Sequence, residues 1–136
     1  MPAHVVAKQQ ITVGNDEFVE GAAPEGSFVA VFEGDGETGY FYALDQSRSG
    51  QQIQDAMPIY DVAHVADRHA PSLIEIGWSS DNCKVVLLIN DVAHAVFDFS
   101  AKRGYCRTGL PSKCKGGGWE GHTWDDSALK LFVDQA

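Results

Sequence analysis

The sequence predicts an α+β domain made mainly of antiparallel strands, arranged as a sandwich or as one strongly curved sheet. Three observations carry this. Two alternating apolar runs, GSFVAVFE and TGYFYALD, flank Gly34-Asp35-Gly36-Glu37, and Asp-Gly between such runs is a strong hairpin signal. The apolar run KVVLLI lies between LIEIGW and AHAVFDFS, the pattern of a strand covered on both faces. Thr123-Trp124-Asp125-Asp126 before SALKLFVDQ reads as a capped helix near 125–134, with acidic residues in its positive first turn.

Taken in order, residues 1–25 form an N-terminal arm and loop expected to be less ordered than the rest. Val5, Val6, Ile11 and Val13 outline a strand or extended arm there, interrupted by polar residues 8–10, and residues 14–27 are rich in Gly, Pro and Glu and read as loop. In the first hairpin Phe28, Ala30 and Phe32 share one face, as do Tyr40, Tyr42 and Leu44 on the next strand. Ile53, Ala56 and Met57 recur at helical spacing until Pro58, which predicts a short helix near 50–57. Residues 59–71 fit both periods, with Ile59, Val62 and Val65 on one and Tyr60, Val62 and His64 on the other. Asn90-Asp91 supplies the turn of the second hairpin. After it, Ala93, Ala95, Phe97 and Phe99 alternate with His94, Val96, Asp98 and Ser100, giving one buried and one partly polar face. Residues 101–122 read as a long irregular loop with one short strand at Tyr105-Cys106-Arg107-Thr108.

At 136 residues and 44% hydrophobic, the chain can bury one core, so a single domain over 1–136 is expected. MPAHVVAKQQITV lacks the basic flank and apolar run of a secretory signal, and nothing approaches a run of roughly 20 apolar residues. A cytoplasmic protein without membrane association follows as the expectation. Cys83, Cys106 and Cys114 are an odd number, which suits free thiols in a reducing compartment. Net charge is −9. Residues 1–101 hold 15 acidic and 4 basic side chains, whereas 102–136 hold 4 and 6. Such a balance repels nucleic acid and favours a basic protein partner.

Several constellations fall short of their chemistry. Cys106, Cys114 and His122 are spaced Cys-x7-Cys and Cys-x7-His, unlike the short knuckle of structural zinc sites. His64 and His69 diverge on a helix and on a strand alike. Lys113-Cys114-Lys115-Gly116-Gly117-Gly118 lacks the order of a phosphate-binding loop that opens a helix, and Glu33, Asp35 and Glu37 lack the loop length of a calcium site. No metal and no cofactor is expected. His94 and Asp98 would share a strand face but stand roughly 13 Å apart, too far for an acid–base pair. Cys106 lies near Arg103 and Arg107, which favour a thiolate, but nucleophilic catalysis also needs a nearby histidine.

The blocks Gly36-Glu37-Thr38-Gly39-Tyr40-Phe41-Tyr42-Ala43-Leu44-Asp45, Leu87-Leu88-Ile89-Asn90-Asp91, His94-Ala95-Val96-Phe97-Asp98-Phe99 and Gly104-Tyr105-Cys106-Arg107 resemble those of a family of small uncharacterised bacterial proteins, a domain of unknown function. The resemblance covers about residues 28–132. It implies a bacterial, stand-alone domain and transfers no catalytic residues.

The leading functional expectation is a noncatalytic protein-binding domain, of the immunity or antidote type, that meets a basic partner through Asp35, Glu37, Tyr40, Tyr42 and Asp45. The alternative is an anionic-ligand binder or enzyme. Its pocket would lie between the 94–100 strand and the 102–122 loop, with His94, Asp98, Arg103, Cys106, Arg107 and His122 as candidate ligand-binding residues. A sheet edge also leaves room for pairing with a second copy.

Overall fold

Alternating runs closed by tight turns set the topology. The structure is a computed structural model that describes residues 4–50, 52–65 and 70–107, together with Trp124 and Ala128. Its strands are β1 (His4–Ile11), β2 (Glu17–Ala22), β3 (Phe28–Gly34), β4 (Thr38–Asp45), β5 (Ile53–Asp61), β6 (Ser72–Trp78), β7 (Lys84–Ile89), β8 (Val92–Asp98) and β9 (Arg103–Cys106). A 3₁₀ turn at Val62–His64 follows β5. The strands form a five-stranded sheet ordered β1-β6-β7-β8-β9 and a four-stranded sheet ordered β2-β3-β4-β5, antiparallel throughout.

Among the described residues antiparallel β therefore stands, and the α component of the expected α+β class does not. The helix expected near 50–57 is the beginning of β5, where Asp55, Ala56, Met57, Pro58 and Ile59 are buried in succession. Such unbroken burial belongs to a strand covered on both faces, and the helical spacing of its apolar residues is coincidental. Pro58 stands opposite Tyr40 beside a register shift, where a strand tolerates the missing N–H. Residues 14–27, read as loop, contain β2, so much of the expected N-terminal arm is sheet. The helix expected near 125–134 lies outside the described residues except for Ala128.

The main core lies between the sheets. Phe41 of the four-stranded sheet stacks on Phe97 of the other with ring centroids 5.1 Å apart, and Phe99 stacks on Phe28 at 4.2 Å and leans on Trp78 at 5.5 Å. Trp78 is fully buried, and its Nε1–H donates to the Gly21 carbonyl at 3.1 Å. A burial this deep needs a partner for the indole N–H. A smaller cluster on the far face of the five-stranded sheet joins Val86, Leu88, Ala93, Val96 and Tyr105 to Ala128, with Trp124 packed against it.

At Gly21 the two sheets approach closely. A Cβ there would lie 2.8 Å from Ile76 Cγ2 and 3.0 Å from Val6 Cγ2, and Ile76 is fully buried and cannot swing away. Gly21→Ala should therefore cost about 2 kcal/mol as overpacking in the core. Urea denaturation measures this, and an unchanged midpoint would show that the sheets can separate at no cost.

Candidate functional site

The six candidate ligand-binding residues sit at or beyond the β8–β9 hairpin, and a single irregularity in β8 decides where the first of them points. The turn between β7 and β8 is made by Asn90 and Asp91, both at positive φ (52° and 67°), a conformation these two residue types tolerate. Asn90 also ties the turn to β6, accepting from Leu73 N at 2.8 Å and donating its own N–H to the Leu73 carbonyl at 2.9 Å. Farther along, Leu87 pairs with Ala95 but Leu88 pairs with Ala93. His94 is thus the extra residue of a β-bulge. Ala93 and Ala95, two residues apart, accordingly pack in different clusters, Ala93 on the far face and Ala95 in the main core.

Arg107 fastens the bulge. Its backbone N–H donates to the His94 carbonyl at 3.0 Å, and its Nε donates to the Ala93 carbonyl. Its guanidinium lies over the Trp124 ring, 4.2 Å from the centroid, a cation–π contact. Burial, and secondarily the charge of Arg107, lowers the pKa of His94 below its ordinary value, so the imidazole is neutral at pH 7.

The other candidates do not join it. Asp98 accepts from Ser100 N at 3.0 Å and Ala101 N at 3.1 Å and so closes the turn before β9. The bulge also separates its face from that of His94, so the two do not share one as alternation predicted. Arg103 is exposed and lies over Tyr105 at 4.7 Å. Cys106 is buried, and its thiol donates to the Pro58 carbonyl at 3.5 Å. His122 and Cys114, and the 102–122 loop beyond Arg107, lie outside the described residues. Among the described residues no three metal-ligating side chains come together, and no helix is long and apolar enough to cross a membrane.

The candidate partner-binding residues divide along β4. Asp35 closes the β3–β4 turn, its carboxylate accepting from the Glu37 and Thr38 amides at 2.7 Å each, and those bonds, Thr38 first, hold its pKa below the usual value. Glu37 is exposed at the tip, and its carbonyl accepts from Val62 N. Asp45 ends β4, roughly 23 Å from Thr38 at ordinary strand rise. It accepts from the Ser47 hydroxyl and amide and from the Ser27 hydroxyl, bonds that lower its pKa. Asp35 and Asp45 thus shape loops at opposite ends of the strand.

Tyr40 and Tyr42 lie between them, on the outer face of the four-stranded sheet with Leu44, while Phe41 and Ala43 enter the core. The tyrosine rings stack 5.9 Å apart, and the Tyr42 hydroxyl donates to Glu33 at 3.1 Å. Burial, then the Glu33 carboxylate, pushes the Tyr42 phenol well above its ordinary pKa, so it stays a donor. Register places Phe18, Glu33 and Tyr40 in one cross-strand row and Glu20, Val31 and Tyr42 in the next. Phe18 and Glu20 were not singled out from sequence. Their only signal is that Val19, not Phe18, takes the inward position of β2, leaving Phe18 57% exposed.

The low pKa of His94 fixes a sign for stability. As pH falls through the ordinary histidine range, the unfolded chain takes up a proton that folded His94 resists, so stability is lost on acidification. His94→Gln removes that loss. Urea melts at about pH 7.5 and about pH 5.5 should show the variant gaining on the wild type at the lower pH, and a parallel loss in both proteins would contradict a neutral, buried-side His94.

No solved structure matches the chain. A protein of Haemophilus influenzae, described as an uncharacterized protein, is 45% identical over 78 residues, covering 57% of this chain and 48% of its own. The matched stretch thus spans about half the length of that relative. A family model matches residues 11–133, starting well before the 28–132 of the sequence resemblance and taking in β2. The chain belongs to that family, the uncharacterized protein conserved in bacteria (DUF2251).

Proposed function

We propose that this chain is a noncatalytic binding domain whose outer β2–β4 face receives a basic protein partner. One observation carries the reading: the cross-strand rows Phe18–Glu33–Tyr40 and Glu20–Val31–Tyr42 set an exposed phenylalanine and two stacked tyrosines among carboxylates. An exposed phenylalanine in a strand whose neighbour Val19 is buried offers an anchor to a partner surface. Aromatics of this kind carry interface energy, while surrounding carboxylates select a cationic partner and speed its approach. The net charge of −9 acts in the same sense at longer range and opposes self-association through this face. Asp16 and Glu17, with Asp35 at the neighbouring turn, extend the negative rim beside Phe18.

Of the residues expected from sequence, Tyr40 and Tyr42 belong to this face, Asp35 and Glu37 to its rim, and Asp45 shapes the loop at its far end. The antidote or immunity role remains a proposal within this reading and adds only that the partner is a toxin. Cytoplasmic residence is part of the same proposal, since a toxin's antidote must meet it where it acts.

The test is retention of a basic protein from source-cell lysate by the tagged chain at low ionic strength, compared with Tyr40→Ala and with Phe18→Ser. The expected result is a stoichiometric partner released as salt is raised, with Tyr40→Ala weakening the complex roughly tenfold or more. Equal retention by both variants, or retention indifferent to salt, would remove this face from the function.

A further inference from the structure

We propose that the cavity beside the β7–β8 turn binds a small, uncharged, mostly apolar molecule through one hydrogen bond to His94. The cavity has a volume of about 450 Å³, within the range that encloses a drug-sized ligand. Ile11 of β1, Ile59 of β5 and Ile74 of β6 bring apolar wall to it from both sheets, and all three are buried members of the main core. Val92, 48% exposed, lies on its solvent side. The site shares no residue with the tyrosine face of β2–β4 and does not rest on that reading.

Among the described residues the polar groups on its wall are Tyr60, Ser72, Asn90 and His94, and none of these is charged at neutral pH. Burial holds the Tyr60 phenol up to about 12, far from ionisation, and the His94 imidazole is depressed toward its neutral form. A charged ligand would lose its hydration against these walls without gaining a counter-charge, and an unpaired buried charge is strongly disfavoured. Arg107 is committed to the Ala93 carbonyl and the Trp124 ring.

His94 is suited to be the polar contact because its position is imposed by the backbone. In a regular strand it would alternate away from Ala93 and Ala95 together. The bulge instead places it on the cavity, and two hydrogen bonds from Arg107 to consecutive carbonyls fix that geometry. A neutral imidazole offers one donor and one acceptor nitrogen. Asn90, by contrast, already spends its side-chain oxygen on Leu73 N, so it shapes the rim.

N-phenylnaphthylamine, an uncharged aromatic probe with one N–H, tests the site by fluorescence titration of the full chain. The expected result is saturable binding of one probe per chain, weakened about fivefold by His94→Leu and abolished by Ile89→Trp, which fills the cavity. Tyr40→Ala should bind as the wild type does, separating this site from the partner face. Should Ile89→Trp melt well below the wild type, Val92→Trp does the same work from an exposed position. The anionic analogue anilinonaphthalene sulfonate should bind more weakly. Absence of saturable binding, binding that survives a folded cavity-filled variant, undiminished affinity in His94→Leu, or preference for the anionic probe would each overturn the proposal.

Discussion

The contact between the Gly21 backbone and the Trp78 indole sets the distance at which the two sheets can pack. Trp78 can be fully buried only because its N–H finds the Gly21 carbonyl, and that carbonyl is within reach only because residue 21 has no side chain to strike Ile76 and Val6. Phe99 then packs against Trp78 and Phe28 against Phe99, which carries the contact from the five-stranded sheet to the other. β2 is joined to this core through Val19 and Gly21. A side chain at residue 21 would strain the docking of the strand that presents Phe18 and Glu20 on its opposite face.

The two candidate surfaces arise from opposite treatments of strand alternation. On β2 and β4 the alternation is kept, so Val19 and Gly21, like Phe41 and Ala43, turn inward while Phe18, Glu20, Tyr40 and Tyr42 stay outside. On β8 it is broken once, at His94, which moves a titratable ring from the far face to the space between sheets. The first arrangement gives a broad face with exposed carboxylates. The second gives a half-open cavity whose described polar wall groups are neutral, and burial is the main cause of that electrostatic difference.

The parts legible from sequence were those governed by local chemistry. Asp35-Gly36 and Asn90-Asp91 marked the turns of both hairpins, and the doubly apolar KVVLLI run marked β7. β5 reads as a short helix from sequence because Ile53, Ala56 and Met57 match a helical period by chance and Pro58 looks like its stop, whereas pairing with β4 overrides both. β2 was missed because its inward positions are Val19 and Gly21, a pattern too weak to stand out from a loop, and its only large apolar residue faces solvent. Asp98 looked like a site residue but serves its own turn. The bulge at His94 left no mark at all, since the sequence alternates as if the strand were regular and only the pairing of Leu87 and Leu88 reveals the extra residue.

Because His94 has no pairing partner on β7, it is also a position that β8 can lose without rephasing either core. Removing it by a single-codon deletion would leave Ala93 opposite Leu88 and Ala95 opposite Leu87, each still in its own cluster. A substitution elsewhere in the strand alters one face at a time, whereas this deletion would take away the imidazole and one anchor of Arg107 in the same step while sparing both packing layers. Length variation at this point is thus a route by which the same scaffold could acquire or shed a polar group in its interior.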